Sequence, residues 1–360
     1  MIVLVLGMHA AVTYSPFGSW YLRERPPLNH AETLFFLTFQ SFLQGFFMAL
    51  LFFIAGCFTP GAYDRKGPAR FLMDRCYRLG LPALLYMLLI GPMTEYYLAG
   101  LWGSQASIQS GMEAYIVSGR VFSGSGPLWF CIALLLLSAV YTLWRLSISG
   151  PANEHDLTAK QVGLTLLAMA AATFLVKTIL PGGRAFLNMQ LADFPSYIIM
   201  FAAGVAAARH GWLFGISDRF AGTIAAVCLA TAILAWWPLL SLGGAFSGHA
   251  RAYGFGWTWQ NAAASLWAAF VCIGGSAGVL VLFRAVAGTQ GRLARFLSTN
   301  AFAVYVIHTP VLVALTLALR PLSFGPFEKF ALLWALATVL TFGVAAPAVR
   351  CLPGMNSILR

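Results

Sequence analysis

Charged side chains are scarce in this chain. Only 9% of its 360 residues are Asp, Glu, Lys or Arg, against roughly 25% in soluble domains. Set beside a hydrophobic content of 60%, that scarcity excludes a soluble globular protein. Acids are scarcer than bases, 11 against 22, which leaves a net charge of +11. The cations are scattered, with no basic tract and no zinc-finger spacing, so nucleic-acid binding is not indicated. The six cysteines (57, 76, 131, 228, 272 and 351) show no CxxC or other metal-ligand spacing. Most lie in apolar runs, where a free thiol behaves as a small hydrophobe. Neither a disulfide framework, a redox site nor a metal centre is expected. Fixed-period repeats and low-complexity stretches are lacking as well.

What the chain has is long apolar runs. Reading for about 20 apolar residues per crossing gives ten candidate spans near 1–14, 33–58, 79–98, 127–144, 162–180, 194–210, 220–240, 262–283, 299–319 and 329–349. They recur over the whole length, so residues 1–360 read as one all-α polytopic membrane bundle. The first run is too short for a full crossing. The sixth is short too, and Pro195 and Gly204 suggest an irregular or tilted helix. With the amino terminus inside, the inner segments hold 14 of the 22 cations, among them Arg65, Lys66, Arg70, Arg75, Arg78, Arg145 and Arg209. This bias puts both termini in the cytoplasm. Trp20, Trp102, Trp236, Trp237, Trp257 and Trp259 then fall at the outer face, where amphipathic rings favour the interface. The longest loop, roughly 99–126, is also external and could cover an outer mouth.

The opening, "MIVLVLGMHAAVTYS", lacks the positive n-region of a secretory signal, and "HAAVTYS" is a poor cleavage site. It reads as an incomplete first span. Within it, His9 is an ionisable group inside an apolar run. His308 stands similarly in the ninth run, whereas His30, His155, His210 and His249 fall in loops or at span ends. Intramembrane ionisable residues are costly and face a protein interior or a wet cavity. Either histidine could be a general base, or a neutral imidazole that steadies the bundle by hydrogen bonding.

Three further constellations stand out. In "YDRKGPARFLMDRCYRLGLP", Arg75 and Arg78 are three apart and, if helical, share one face at the inner mouth of the third span. Paired guanidinium groups suit phosphate, although five cations beside a membrane also satisfy the positive-inside rule and touch anionic headgroups. In "TNAFAVYVIHTPVLV", Tyr305 and His308 share a helix face, with Asn300 a little over one turn below Tyr305, and Pro310 weakens the helix just beyond. "GSGPLWF" is a flexible entry to the fourth span, with Pro127 suited to a first helical turn. Glu95, at the outer end of the third span, could orient a histidine or simply be solvated, with solvation the better reading.

Taken in order, "MHAAVTYS", "FFMALLFFIAGCFTP", "RFLMDRCYRLGLP", "GPLWF", "FPSYIIMFAAGVAAARHGWL" and "NAFAVYVIHTPVL" resemble the acyltransferase 3 family. These are bacterial integral membrane proteins that O-acylate carbohydrates and other extracytoplasmic targets. The resemblance implies that His9 works at the acyl-transfer centre and that Arg75 and Arg78 serve cofactor binding. Tyr305 and His308 match the recurring tyrosine and histidine of the late helix. The family pattern has a basic residue eleven positions before its first-helix histidine. Here that position would precede Met1, so the chain is expected to begin inside the catalytic helix. The second span carries Ala55-Gly56 where the family often has Ser-Gly.

The expected function is therefore transfer of an acetyl or succinyl group from cytosolic acyl-CoA to a hydroxyl of a cell-envelope carbohydrate, at the bacterial inner membrane. Glucan succinylation falls within this architecture. His9 would deprotonate the acceptor or carry the acyl group transiently, with direct transfer favoured. Expected partners are membrane lipid, acyl-CoA and the carbohydrate, without nucleic acid; the oligomeric state is left open. The rival from another class is a transporter or flippase, since broken helices and intramembrane histidines occur there too. The lack of paired halves and the small number of membrane acids for ion coupling speak against it.

Overall fold

The computed structural model describes residues 1–98, 100, 107–148, 155–182, 185–286 and 291–359. Nine helices among them are long and apolar enough to cross a membrane. They are α2 (His30–Lys66), α3 (Pro68–Glu95), α5 (Gly126–Ser147), α6 (Ala159–Ile179), α7 (Leu191–Arg209), α8 (Asp218–Leu242), α9 (Trp259–Val286), α10 (Arg292–Leu319) and α11 (Pro326–Arg350). A shorter apolar helix, α1 (Ile2–Thr13), precedes them, and α4 (Ile108–Val117) lies between α3 and α5. The only strands among the described residues are the two-residue pair β1 (Ala185–Phe186) and β2 (Met189–Gln190). The protein is a multi-pass helical membrane protein, as its composition requires.

Three expectations are corrected. The third span begins at Pro68, not near residue 79, so both arginines of the inner loop are helical. Three π-turns interrupt this stretch, at Cys76–Gly80, Tyr86–Ile90 and Met93–Leu98. The loop near 99–126 holds helix α4, because Ser107 caps it by accepting a hydrogen bond from the Ser110 amide at 3.1 Å; residues 101–106, with Trp102, lie outside the described residues. The sixth span opens with a 3-10 turn at Leu191–Asp193 and continues as an uninterrupted α-helix over Phe194–Arg209. Pro195 falls in its first turn, where it costs no helical hydrogen bond.

The chain divides into two compact units. Unit 1 comprises Met1–Leu43, Met73–Leu135 and Gln290–Arg360. In it α1 packs on α10 and α11. Gly7 lets α1 and α11 approach: a Cβ there would come within 2.7 Å of the Trp334 ring, and the Trp334 indole N–H donates to the Val3 carbonyl at 2.8 Å. Phe35, Phe36, Phe39, Phe327 and Phe330 form an aromatic cluster beside this contact. Helix α10 is buried along Ala303–Thr309.

Unit 2 comprises Gln44–Leu72 and Leu136–Thr289. Its core is built from α8 on α9, α9 on α6, and α6 on α7. The last part of α2 meets α7 backbone to backbone, because a Cβ on Gly56 would strike the Phe201 carbonyl and one on Gly204 the Phe53 carbonyl. This is the close approach that small residues permit between membrane helices. Trp236, expected at the outer interface, is instead buried and stacked on Trp267, with ring centroids 4.4 Å apart.

Candidate functional site

Helix α1 is buried along one continuous stretch from Val5 to Ser15, with one exception. That exception is His9, which keeps accessible surface. Its ring lies against Trp20, with centroids 3.6 Å apart and planes at 16°. The reversal that brings Trp20 back onto α1 is fixed locally. The Glu24 amide donates to the Thr13 carbonyl at 2.9 Å, and the Arg23 guanidinium donates to the Gly18 carbonyl at 2.6 Å. Gly18 has φ +84°, a left-handed conformation that favours glycine. Gln40 of α2 donates to the fully buried Ser15 hydroxyl at 2.7 Å, which ties the end of α1 down.

His308 faces the same spot from α10. Its ring centroid is 5.4 Å from that of His9 and 6.2 Å from that of Trp20, all three rings within 20° of parallel. The side chain is fully buried. Nδ1 lies 2.7 Å from the Tyr305 carbonyl, and a carbonyl only accepts, so Nδ1 carries the proton. In the neutral ring Nε2 is then a lone pair. That atom is buried and makes no hydrogen bond among the described residues. Buried polar atoms left without a partner are rare and call for an explanation.

Tyr305 closes the site from one side. Its hydroxyl donates to the Pro127 carbonyl of "GPLWF", which joins two segments 178 residues apart. Tyr86 and Tyr21 are linked through their hydroxyls at 3.2 Å. Gly126 accommodates both: at φ +49° it has the conformation that an L side chain resists, and a Cβ would come within 2.5 Å of each tyrosine. Burial and the neighbouring Tyr86 hold the Tyr21 hydroxyl well above its ordinary pKa, so it stays protonated.

The other anticipated residues fall elsewhere. Glu95 pairs with Arg120 at 3.8 Å, with no histidine contact among the described residues. Asn300 takes a hydrogen bond from Arg350 at 2.9 Å and so belongs to a separate cluster. Arg75 is half-buried, and Arg78 is bonded through Nε to Asp74 at 3.0 Å. They precede Tyr86 on α3 by eleven and eight residues, roughly 16 and 12 Å of helix axis at about 1.5 Å per residue. The sequence reading took Trp20 for an interfacial ring and passed over Tyr21 and Tyr86. The signal available was the aromatic pair Trp20-Tyr21 immediately after the histidine helix.

The site thus defines a multi-pass helical membrane protein in which two histidine rings from separate helices of unit 1 stack beside one another. Residues 1–350 match the family model described as an acyltransferase domain, of the acyltransferase 3 type. The chain belongs to that family and is a membrane acyltransferase, which decides for an enzyme over a transporter. No curated protein matches it, and no solved structure does.

Proposed function

We propose that the protein transfers an acyl group from cytosolic acyl-CoA, acetyl- or succinyl-CoA, to a hydroxyl of a cell-envelope carbohydrate. The observation that carries this reading is that His9 is the one partly accessible residue of the buried stretch Val5–Ser15, with its ring set against Trp20 and His308. His9 takes the proton of the acceptor hydroxyl as the oxygen attacks the thioester carbonyl. The C–O bond forms, the C–S bond breaks, and the CoA sulfur leaves to be protonated as the free thiol. His308 and Tyr305 hold the site in register.

Arg75 and Arg78 bind the phosphates of CoA near the inner surface. The axial run from the arginines to Tyr86 supports this division, since the pantetheine arm covers that distance while the phosphates stay behind. The chain works as one acyltransferase domain, a reading supported by the family match over residues 1–350. It resides in the bacterial inner membrane with both termini in the cytoplasm, which the cation bias supports. Cysteine introduced at Ser107 is then labelled from outside and cysteine at Gly67 is not; the reverse pattern overturns the orientation.

The deciding experiment compares envelope glycans of deletion and complemented strains by mass spectrometry. Acylation restored only by the complementing gene, with a mass step of acetyl or succinyl, supports the reading. Unchanged glycans, together with no transfer from labelled acyl-CoA in membranes, contradict it.

A further inference from the structure

A cavity with a volume of about 550 Å³ lies wholly within unit 2. It runs between α5 and α7. Leu137 and Val140 on one helix and Ile198 and Ala202 on the other form an apolar wall. Further along both helices, at the same end of the cavity, the lining turns polar at Tyr141, Arg145, Arg209 and His210.

The polar end is built rather than incidental. Arg209 donates to both oxygens of Asp64 at 2.8 and 3.0 Å and to the buried Tyr141 hydroxyl at 2.7 Å. Asp64 thereby neutralises one guanidinium. Arg145 has no acidic partner among the described residues; its contacts are a long hydrogen bond to the Ile148 carbonyl at 3.5 Å and the Trp144 ring at 5.9 Å. Among the described residues, these two guanidinium groups and one carboxylate leave one positive charge without an acidic partner. The Nε atoms of Arg145 and Arg209 are also buried without hydrogen-bond partners among the described residues.

A charge at the end of an apolar trough, beside a tryptophan, matches one kind of molecule: an anion with an attached hydrocarbon chain. We infer that this cavity binds an anionic glycerophospholipid, its phosphate at Arg145 and Arg209 and an acyl chain along the Leu137–Ile198 wall. Basic pockets between membrane helices hold anionic headgroups by the same charge complementarity. A lipid whose headgroup bears an ammonium is disfavoured, because the cations repel it. This inference does not depend on the acyl-transfer reading, which rests on other residues.

The test uses the full-length protein, equilibrated in vesicles of equal phosphatidylglycerol and phosphatidylcholine, with bound lipid counted by native mass spectrometry after extraction. Wild type retains phosphatidylglycerol over phosphatidylcholine by roughly tenfold, the scale of one charged hydrogen bond. Arg145→Gln brings the two lipids to parity, and Ala202→Trp, which fills the wall, lowers retention of both. Arg145 is partly exposed at a helix end, so Arg145→Gln decides alone if the tryptophan variant fails to fold. Parity in wild type, or full preference in Arg145→Gln, overturns the inference. Displacement of phosphatidylglycerol by free CoA would assign the cations to a soluble phosphate and overturn it too.

Discussion

Helices α6 and α10 have nearly equal peak hydropathy, 1.9 and 2.1, yet they are used in opposite ways. Of the apolar window of α10, 61% is buried inside the protein, against 17% for α6. Helix α10 carries Asn300, Tyr305, His308, Thr309 and Thr316 in its interior. Buried α6 residues are Leu166, Met169, Ala170 and Thr173. An apolar surface facing lipid costs nothing, so hydropathy alone does not separate the two. A histidine in that surface would cost several kcal/mol at the bilayer centre. Polar side chains therefore mark which helix faces protein: unit 1 holds the two stacked histidines, whereas in unit 2 α2 and α7 close on glycine.

The sharpest way to break this contrast is to remove the accessible base from unit 1. His9→Ala is expected to lower transfer by roughly 10² to 10⁴, with insertion unchanged. It is checked by initial rates with labelled acyl-CoA in proteoliposomes. Next in size is the glycine contact of unit 2. Gly204→Leu forces a side chain into the Phe53 carbonyl and should cost about 3 kcal/mol by overpacking, seen as a lower melting temperature in detergent. The two substitutions thus separate chemistry from packing.

Arg75→Ala and Arg78→Ala should each weaken acyl-CoA binding by about 1.5–3 kcal/mol, or roughly ten- to hundredfold. Equilibrium binding to protein of normal stability checks this, and unchanged affinity in both would leave only their positive-inside role. The smallest effect expected is that of Tyr305→Phe. It removes the hydrogen bond to Pro127 and should lower stability by about 1 kcal/mol, measured by thermal unfolding.

Much of the fold was legible because membrane helices announce themselves by length and hydropathy. The order of the spans, the shortness of α1 and the separation of Tyr305 and His308 by one helical turn all follow from local spacing. The edges of α3 were missed because Arg70, Arg75 and Arg78 break the apolar run without breaking the helix. Helix α4 was missed because its Ser107 cap is a single residue in a polar loop. For the site, residue types and spacing picked out His9 on one span and Tyr305 with His308 on one face of another. Their meeting with Trp20, and the tie from Tyr305 to Pro127, join segments far apart in sequence, which no periodicity reports. Glu95 was open to two readings, and the structure gives it Arg120 as partner.

The central claim is that His9 and His308 act as one unit, and a double-mutant cycle on single-turnover acyl transfer tests it most directly. His9→Ala, His308→Gln and the double variant are compared with wild type at equal amounts of folded protein. If His308 works only through His9, the double variant falls within about twofold of His9→Ala alone, because groups that act together give non-additive losses. Losses that multiply in the double variant would show two independent contributions and contradict the account.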